Sequence, residues 1–290
     1  MPPSSTLTSS PDQYGFRYWC SFCSKSFAKG KRFNAHHGVL NGNGPKYGLF
    51  CTVKIFRHKR GSERLCDVEI QKSRKVQELC QSFSIENGMK KIQFVSLVKA
   101  HMDEIWTPIF PCSSTWNRPL FRDEWVLIED FLGKRFQWFV GSDGSLPKLS
   151  RTRQTLNAFV HYSFHCTSGS LVVCGLQGSV TEGCYMLKTP TIHSVNESYG
   201  DTDKGIRGIE EVFHHHKCNS ICKDFIIPEY REYNRADAVG SCDDVTSEGA
   251  SEECLVGIDS SCDSLLMPSR PISAAPPPYM DVFNNSEIGD

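Results

Sequence analysis

Within seven residues, His216-Lys217-Cys218-Asn219-Ser220-Ile221-Cys222 carries three side chains able to hold a metal, and no other stretch restricts the possible folds so tightly. Thiolate sulfur and imidazole nitrogen together suit a tetrahedral zinc, and an H-x-C-x3-C run at a helix end supplies three of its four corners. The fourth corner must come from elsewhere in the chain. His161 is the candidate, because it stands ahead of a strand-like run, Leu171-Val172-Val173-Cys174, that can carry it to the helix. A second reading stays open here. Cys218 and Cys222, at i and i+4, can equally be buried small apolar side chains, with the histidines solvated.

Fourteen cysteines in 290 residues would mean a disulfide scaffold in a secreted chain, but these are scattered, and no apolar segment follows Met1-Pro2-Pro3-Ser4. The expectation is a reduced, intracellular, cytoplasmic and soluble protein, in which paired cysteines are metal ligands or buried apolar groups. No run approaches the ~18 apolar residues of a membrane span, so no membrane partner is expected. The formal net charge of -1 removes the electrostatic reason to expect nucleic acid. The longest basic run, Arg57-His58-Lys59-Arg60, reads as a solvated loop after Lys54. With 39% apolar residues the chain can build a real core, and one two-lobed domain plus a tail fits best.

Residues 1–13 are rich in Ser, Thr and Pro and are expected to be disordered; the folded domain is expected over 14–235. From Asp237 to the end there are eleven acidic residues and one basic residue, Arg270, so 236–290 reads as an extended acidic tail. Within it, Pro276-Pro277-Pro278-Tyr279 fits the P-P-x-Y ligand of a WW-domain protein. Inside the domain, 48–56 and 125–131 read as strands. Val68, Val76, Leu79 and Phe83 lie near helical spacing across 67–83. A second helix is predicted over 94–101, a pair of strands over 157–164 and 170–176 turning at Thr167-Ser168-Gly169, and further helix from 204 to 222. This order of elements is α+β.

Short motifs then fall into a recognisable order. They run Phe27-Ala28-Lys29-Gly30 with Arg32, Val53-Lys54, Asp67-Val68-Glu69-Ile70-Gln71, Ile128-Glu129, Leu132-Gly133, Ala158-Phe159 with His161, Leu176-Gln177-Gly178 and Pro190-Thr191-Ile192-His193-Ser194. The glycine-rich run from Gly200 through Thr202, Gly205 and Gly208 comes next, and then the metal cluster. Over about residues 25–230 this resembles the alpha-kinases, the atypical protein kinases that include elongation-factor-2 kinase, myosin heavy chain kinases and channel-kinases. The resemblance implies a two-lobed fold with N-lobe about 14–128, C-lobe about 131–235 and a structural zinc in the C-lobe on His161, His216, Cys218 and Cys222. It also implies ATP and Mg2+ as cofactors and Ser/Thr of a protein substrate as acceptor. Lys54 and Arg32 would reach the nucleotide phosphates, Glu69 would pair with Lys54, and Glu129 would lie at the adenine-binding hinge. Gln177 would ligate magnesium, and Thr202, Gly205 and Gly208 would belong to a substrate loop.

Two departures stand at the chemical centre. Phosphoryl transfer needs a phosphate cradle, a bridging metal and a carboxylate that orients the attacking hydroxyl. Where the family signature carries its catalytic Asp, this chain reads Gly175-Leu176-Gln177-Gly178. Where a second Asp should precede Pro190, it has Thr189, a poor substitute for an anionic Mg2+ ligand. The loop before Pro190 looks a few residues longer than usual, which makes Glu182 a candidate surrogate carboxylate. A Lys and an Asn of the family are likewise missing from the segment 136–144. Retained scaffold with replaced carboxylates is the pattern of a pseudokinase, a scaffold or binding module that recruits partners through its tail. A third reading is a zinc-finger interaction protein, because Cys20, Cys23, Phe27, Phe33 and His36 match C-x2-C-x3-F-x5-F-x2-H; its second histidine, His37, is adjacent and could ligate only with distorted geometry.

Overall fold

A computed structural model describes residues 5–83, 91–105, 120–133, 136–147 and 154–228. All of them fall within one compact unit, Pro3–Ile258. The chain opens with four strands, β1 (Ser5–Ser9), β2 (Tyr18–Lys29), β3 (Phe33–Gly42) and β4 (Phe50–Phe56), followed by helix α1 (Glu63–Ser82). Strands β5 (Lys91–Phe94), β6 (Leu97–Glu104) and β7 (Trp125–Asp130) come next. Six of these close a barrel in the order β1-β2-β3-β4-β7-β6 with antiparallel pairing throughout. Burial along β3 alternates at every residue, as a strand with one face on a core requires. Leu7, Phe22, Leu40, Ile55, Met102 and Val126 fill that core.

The N-terminus is not disordered from residue 5 onward: Ser5–Ser9 is the strand that closes the barrel, pairing with β2 on one side and β6 on the other. Composition misleads here because the ordering is stabilised through the backbone. Two ladders satisfy the polar groups of a Ser/Thr-rich segment, and Leu7 alone supplies the apolar anchor. The predicted helix over 94–101 is also absent. Its residues form the end of β5 and the start of β6, where ladders to β1 and β7 override a spacing compatible with either state.

Helix α1 begins earlier than the spacing predicts, capped by Ser62, whose hydroxyl accepts from the Leu65 amide. Its buried residues Cys66, Glu69, Lys72, Ser73, Val76 and Leu79 lie on one face. Cys66 joins a small cluster against the barrel, whereas Val76 and Leu79 join the larger second core.

That second core belongs to the C-terminal lobe, made of β8 (Gln137–Val140), α2 (Gln154–His165), β9 (Leu171–Cys174), β10 (Leu176–Val180), β11 (Cys184–Leu187), β12 (Thr191–Ser194) and α3 (Gly205–His215). One sheet runs β5-β11-β10-β8, and β12 pairs with β9 in a second. The segment 157–164 is helix α2, not a strand. Leu156, Phe159, Val160, His161 and Phe164 are buried all round it, and burial on every side erases the period that distinguishes helix from strand. The strands expected over 48–56, 125–131 and 170–176 are present as β4, β7 and β9, and helix α3 covers the first half of 204–222. The acidic tail and Pro276-Pro277-Pro278-Tyr279 lie outside the described residues. Among the described residues no helix is long and apolar enough to cross a membrane.

Candidate functional site

The barrel and helix α1 carry a cluster of paired charges. Lys54, near the middle of β4, points its amine at Glu129 of β7, with Nζ 2.5 Å from Oε2. The barrel register places Lys54 opposite Leu127, so the two side chains meet by a short diagonal reach across adjacent strands. Glu129 is therefore not a free hinge residue. It sits within β7, opposite Thr52 on one side and Leu97 on the other, and its carboxylate holds the lysine.

Glu69 does not pair with Lys54. Its carboxylate accepts from Arg32 at 2.8 Å and from Lys72 at 2.9 Å, and Lys72 also donates to the Thr202 hydroxyl at 3.2 Å. Burial alone would raise the Glu69 carboxyl, but the Lys72 and Arg32 charges together hold it below its usual range. Burial pushes the Lys72 amine down, against the pull of Glu69. Arg32 comes from the turn after β2, as the Phe27-Ala28-Lys29-Gly30 motif implies, and stacks against Phe33 at 5.1 Å. Lys72 was missed from the sequence because one more lysine on a charged helix carries no signal; only its 1% exposure marks it.

Gly175 joins β9 to β10, Gln177 lies on β10, and Thr189 follows β11. Neither Gly175 nor Thr189 offers a carboxylate, and Thr189 Oγ1 is buried with no hydrogen-bond partner among the described residues. Such a pocket does not fit Mg2+, which favours anionic oxygen ligands. Gly175 has φ +64°, and a Cβ there would lie 3.0 Å from Thr191 Oγ1, so the backbone has settled into a form that glycine tolerates best. Glu182 is no surrogate. It is exposed in the turn between β10 and β11, and the five residues of β10 carry it roughly 15–20 Å along the strand direction from Gly175.

Lys188, next to Thr189, carries no signal in the sequence but stands out in the structure. The Lys188 amide donates to the Gln177 carbonyl at 2.9 Å, and its ammonium lies 5.5 Å from the Phe136 ring centre. Burial pushes its amine down to about 8, and the nearby Lys54 charge adds to that while Glu129 opposes it. In the glycine-rich segment, Gly205 opens α3 at φ +64°, and Gly208 packs so tightly that a Cβ would lie 2.4 Å from the His193 ring. These glycines serve the packing of the helix.

The metal-ligand candidates do come together: one ligand atom from each of His161, His216, Cys218 and Cys222 lies within 4.8 Å of every other. Cys218 Sγ is 3.6 Å from His161 Nδ1 and Cys222 Sγ is 3.7 Å from His216 Nε2. A tetrahedral zinc with ordinary bond lengths implies a nitrogen–sulfur edge of about 3.6 Å. His161 uses Nε2 toward the Ile226 carbonyl at 2.8 Å and His216 uses Nδ1 toward Asn157 Oδ1 at 3.1 Å. Each ring thereby keeps its other nitrogen for the cluster. Burial lowers both imidazoles, His216 to about 4, which leaves them neutral and able to ligate. His161 reaches the cluster from α2 and not from a strand.

No finger forms near the N-terminus. Cys20 faces the barrel interior, 3.4 Å from Cys51 Sγ, while Cys23 lies on the other face of β2; His36 is on β3, not on a helix. Among the described residues, His161, His216, Cys218 and Cys222 are the one such group able to hold a metal.

The sequence pattern of the alpha-kinase family matches residues 28–222. Among curated relatives, alpha-protein kinase vwkA of Dictyostelium discoideum is 32% identical over 97 residues, covering 33% of this chain and 15% of the relative. Eukaryotic elongation factor 2 kinase of Caenorhabditis elegans is 26% identical over 158 residues, covering 54% and 18%. The chain thus spans less than a fifth of the length of either. Among solved structures, the alpha-kinase domain of myosin heavy chain kinase A in complex with AMP superposes with a TM-score of 0.61 at 18% identity, covering 78% of this chain and 100% of that one. An inactive aspartate-to-alanine variant of the same domain in complex with ATP gives 0.63 at 17%, covering 79% and 100%. These neighbours establish the two-lobed fold.

Proposed function

This chain belongs to the alpha-kinase family, and from that premise we propose that it is a pseudokinase, one that keeps a nucleotide pocket and has lost efficient transfer of phosphate to Ser or Thr. One observation carries the reading: Gly175 and Thr189 leave the centre of the cleft without a carboxylate. No group there can accept the proton of an attacking hydroxyl, and none can anchor a bridging cation. What remains is positioning. Arg32 and Lys54 line the phosphate side of the cleft, each held in one rotamer by a carboxylate, Glu69 and Glu129. The myosin heavy chain kinase A neighbours support this separation of binding from chemistry, since an inactive variant of that domain still holds ATP.

A zinc on His161, His216, Cys218 and Cys222 belongs to the same proposal. It would be structural, with four protein ligands and no open position, and would clamp the segment after α3 onto α2. Its binding energy would be folding energy. The folded domain is proposed over 14–235 with the N-terminal strand added, in a cytoplasmic protein. Its tail would present Pro276-Pro277-Pro278-Tyr279 to a WW-domain partner, and the loop around Thr202 would face a bound protein.

The reading is tested with zinc-replete full chain, radiolabelled ATP, Mg2+ and a basic protein substrate, beside a Lys54→Ala control. We expect ATP binding without transfer above the control. Robust transfer that disappears in Lys54→Ala would sink the pseudokinase reading.

A further inference from the structure

The charges of the cleft are unequally matched. Arg32 is held by Glu69 and Lys54 by Glu129, whereas Lys188 has no carboxylate of its own and no hydrogen-bond acceptor for its ammonium among the described residues. The ladder that pairs Gly178 with Leu187 sets Lys188 opposite Gln177, so the two side chains share one face of the sheet, and the Lys54 and Glu129 charges of the barrel act on its ammonium. Its backbone is hydrogen-bonded to Gln177 on the neighbouring strand, two residues from Gly175, and it directly precedes Thr189. A surplus cation therefore stands where both carboxylates are missing. Beside it, the buried Thr189 hydroxyl waits for a partner.

We propose that this pocket takes a nucleoside di- or triphosphate without a divalent cation, the Lys188 ammonium standing in the electrostatic place a metal would hold. The inference rests on the nucleotide-pocket reading above. A divalent ion here would meet no protein carboxylate at Gly175 or Thr189 and would be repelled by the Lys188 ammonium, whereas the Lys54 charge is already offset by Glu129. A phosphate oxygen, in contrast, gains a charge-assisted bond from Lys188 and can accept a further one from the Thr189 hydroxyl. The Lys188 amine remains largely protonated at neutral pH.

The test is calorimetric titration of the full chain with ADP, once with excess Mg2+ and once in EDTA under conditions in which the zinc content and the fold are confirmed unchanged after chelation, alongside Lys188→Met and Lys188→Arg. The expected result is equal affinity in both buffers, a loss on the order of tenfold to a hundredfold in Lys188→Met, and retention in Lys188→Arg. A double variant, Lys188→Thr with Thr189→Asp, removes the ammonium and supplies a carboxylate; it should bind ADP only when Mg2+ is present. Wild-type binding that requires Mg2+ overturns the inference and leaves the nucleotide pocket standing. So does undiminished EDTA-resistant binding by a folded Lys188→Met. Absence of ADP binding in every buffer overturns the pocket itself, and the inference with it.

Discussion

Glu129 Oε2 lies 2.5 Å from Lys54 Nζ, with the side chains only 6% and 12% exposed, so this lysine is fixed from within its own barrel and not from helix α1. Removing one partner of a buried pair leaves an uncompensated charge. Glu129→Ala should therefore lower unfolding free energy by about 3 kcal/mol in urea denaturation. Glu69→Ala should destabilise through Arg32 and Lys72 while leaving the Lys54 pair in place. Equal stability of Glu129→Ala and wild type would show that the pair contributes nothing.

Metal analysis of the purified chain should find one zinc per molecule, bound through the four-residue cluster. Cys222→Ser should lose it and melt at a lower temperature, whereas Cys20→Ser should retain it, since Cys20 lies inside the barrel beside Cys51. A zinc content that follows Cys20 would move the site to the N-terminal strands.

Stability should fall in mild acid because of His36. The ring is fully buried, with Nδ1 2.9 Å from the Cys23 carbonyl, and desolvation lowers its pKa from 6.5 to about 4. A histidine with a depressed folded pKa contributes its stability above the unfolded value and loses it as pH falls toward the folded one. From about pH 6.5 to about pH 4 the loss from this residue approaches 3 kcal/mol. Urea titrations of wild type and His36→Gln across that window should converge as pH falls; a constant gap would exclude the histidine as the cause.

Returning an aspartate to position 175 should not restore phosphotransfer. Gly175→Asp places a side chain at φ +64° and 3.0 Å from Thr191 Oγ1, and should cost about 1–2 kcal/mol of stability. Adding Thr191→Ala should recover part of that cost, measurable as a shift in melting temperature. Transfer to a basic substrate is expected only in a chain that also carries Thr189→Asp, and activity from Gly175→Asp alone would show that one carboxylate suffices.

What the residues disclosed and what they hid follow a physical division. The cluster at 216–222, the β4 lysine and the missing carboxylates were legible because each is a local pattern of chemically distinct side chains. The four candidate ligands are named in the chain and converge in space. Strand β1 and helix α2 were misread because their states are decided by neighbours distant in sequence: two ladders in one case, burial on all sides in the other. Lys72 and Lys188 stayed hidden for the same reason. A lysine becomes a functional candidate only when the fold removes it from water and sets charged groups beside it, and no spacing rule encodes that. The Glu69 pairing failed on geometry, since Arg32 and Lys72 reach its carboxylate and Lys54 is already occupied.

Strand β5 leaves the first half of the chain to lie parallel to β11, at the edge of the four-stranded sheet. A fragment cut at the inter-lobe connection would thus strip one lobe of a strand and strand the other's residues in water. The lobes are not modules that can be expressed, exchanged or lost one at a time. Any truncation that spares the metal cluster but removes the segment around Ile92 and Phe94 should yield an insoluble product, and the heritable unit of this fold is the interwoven pair.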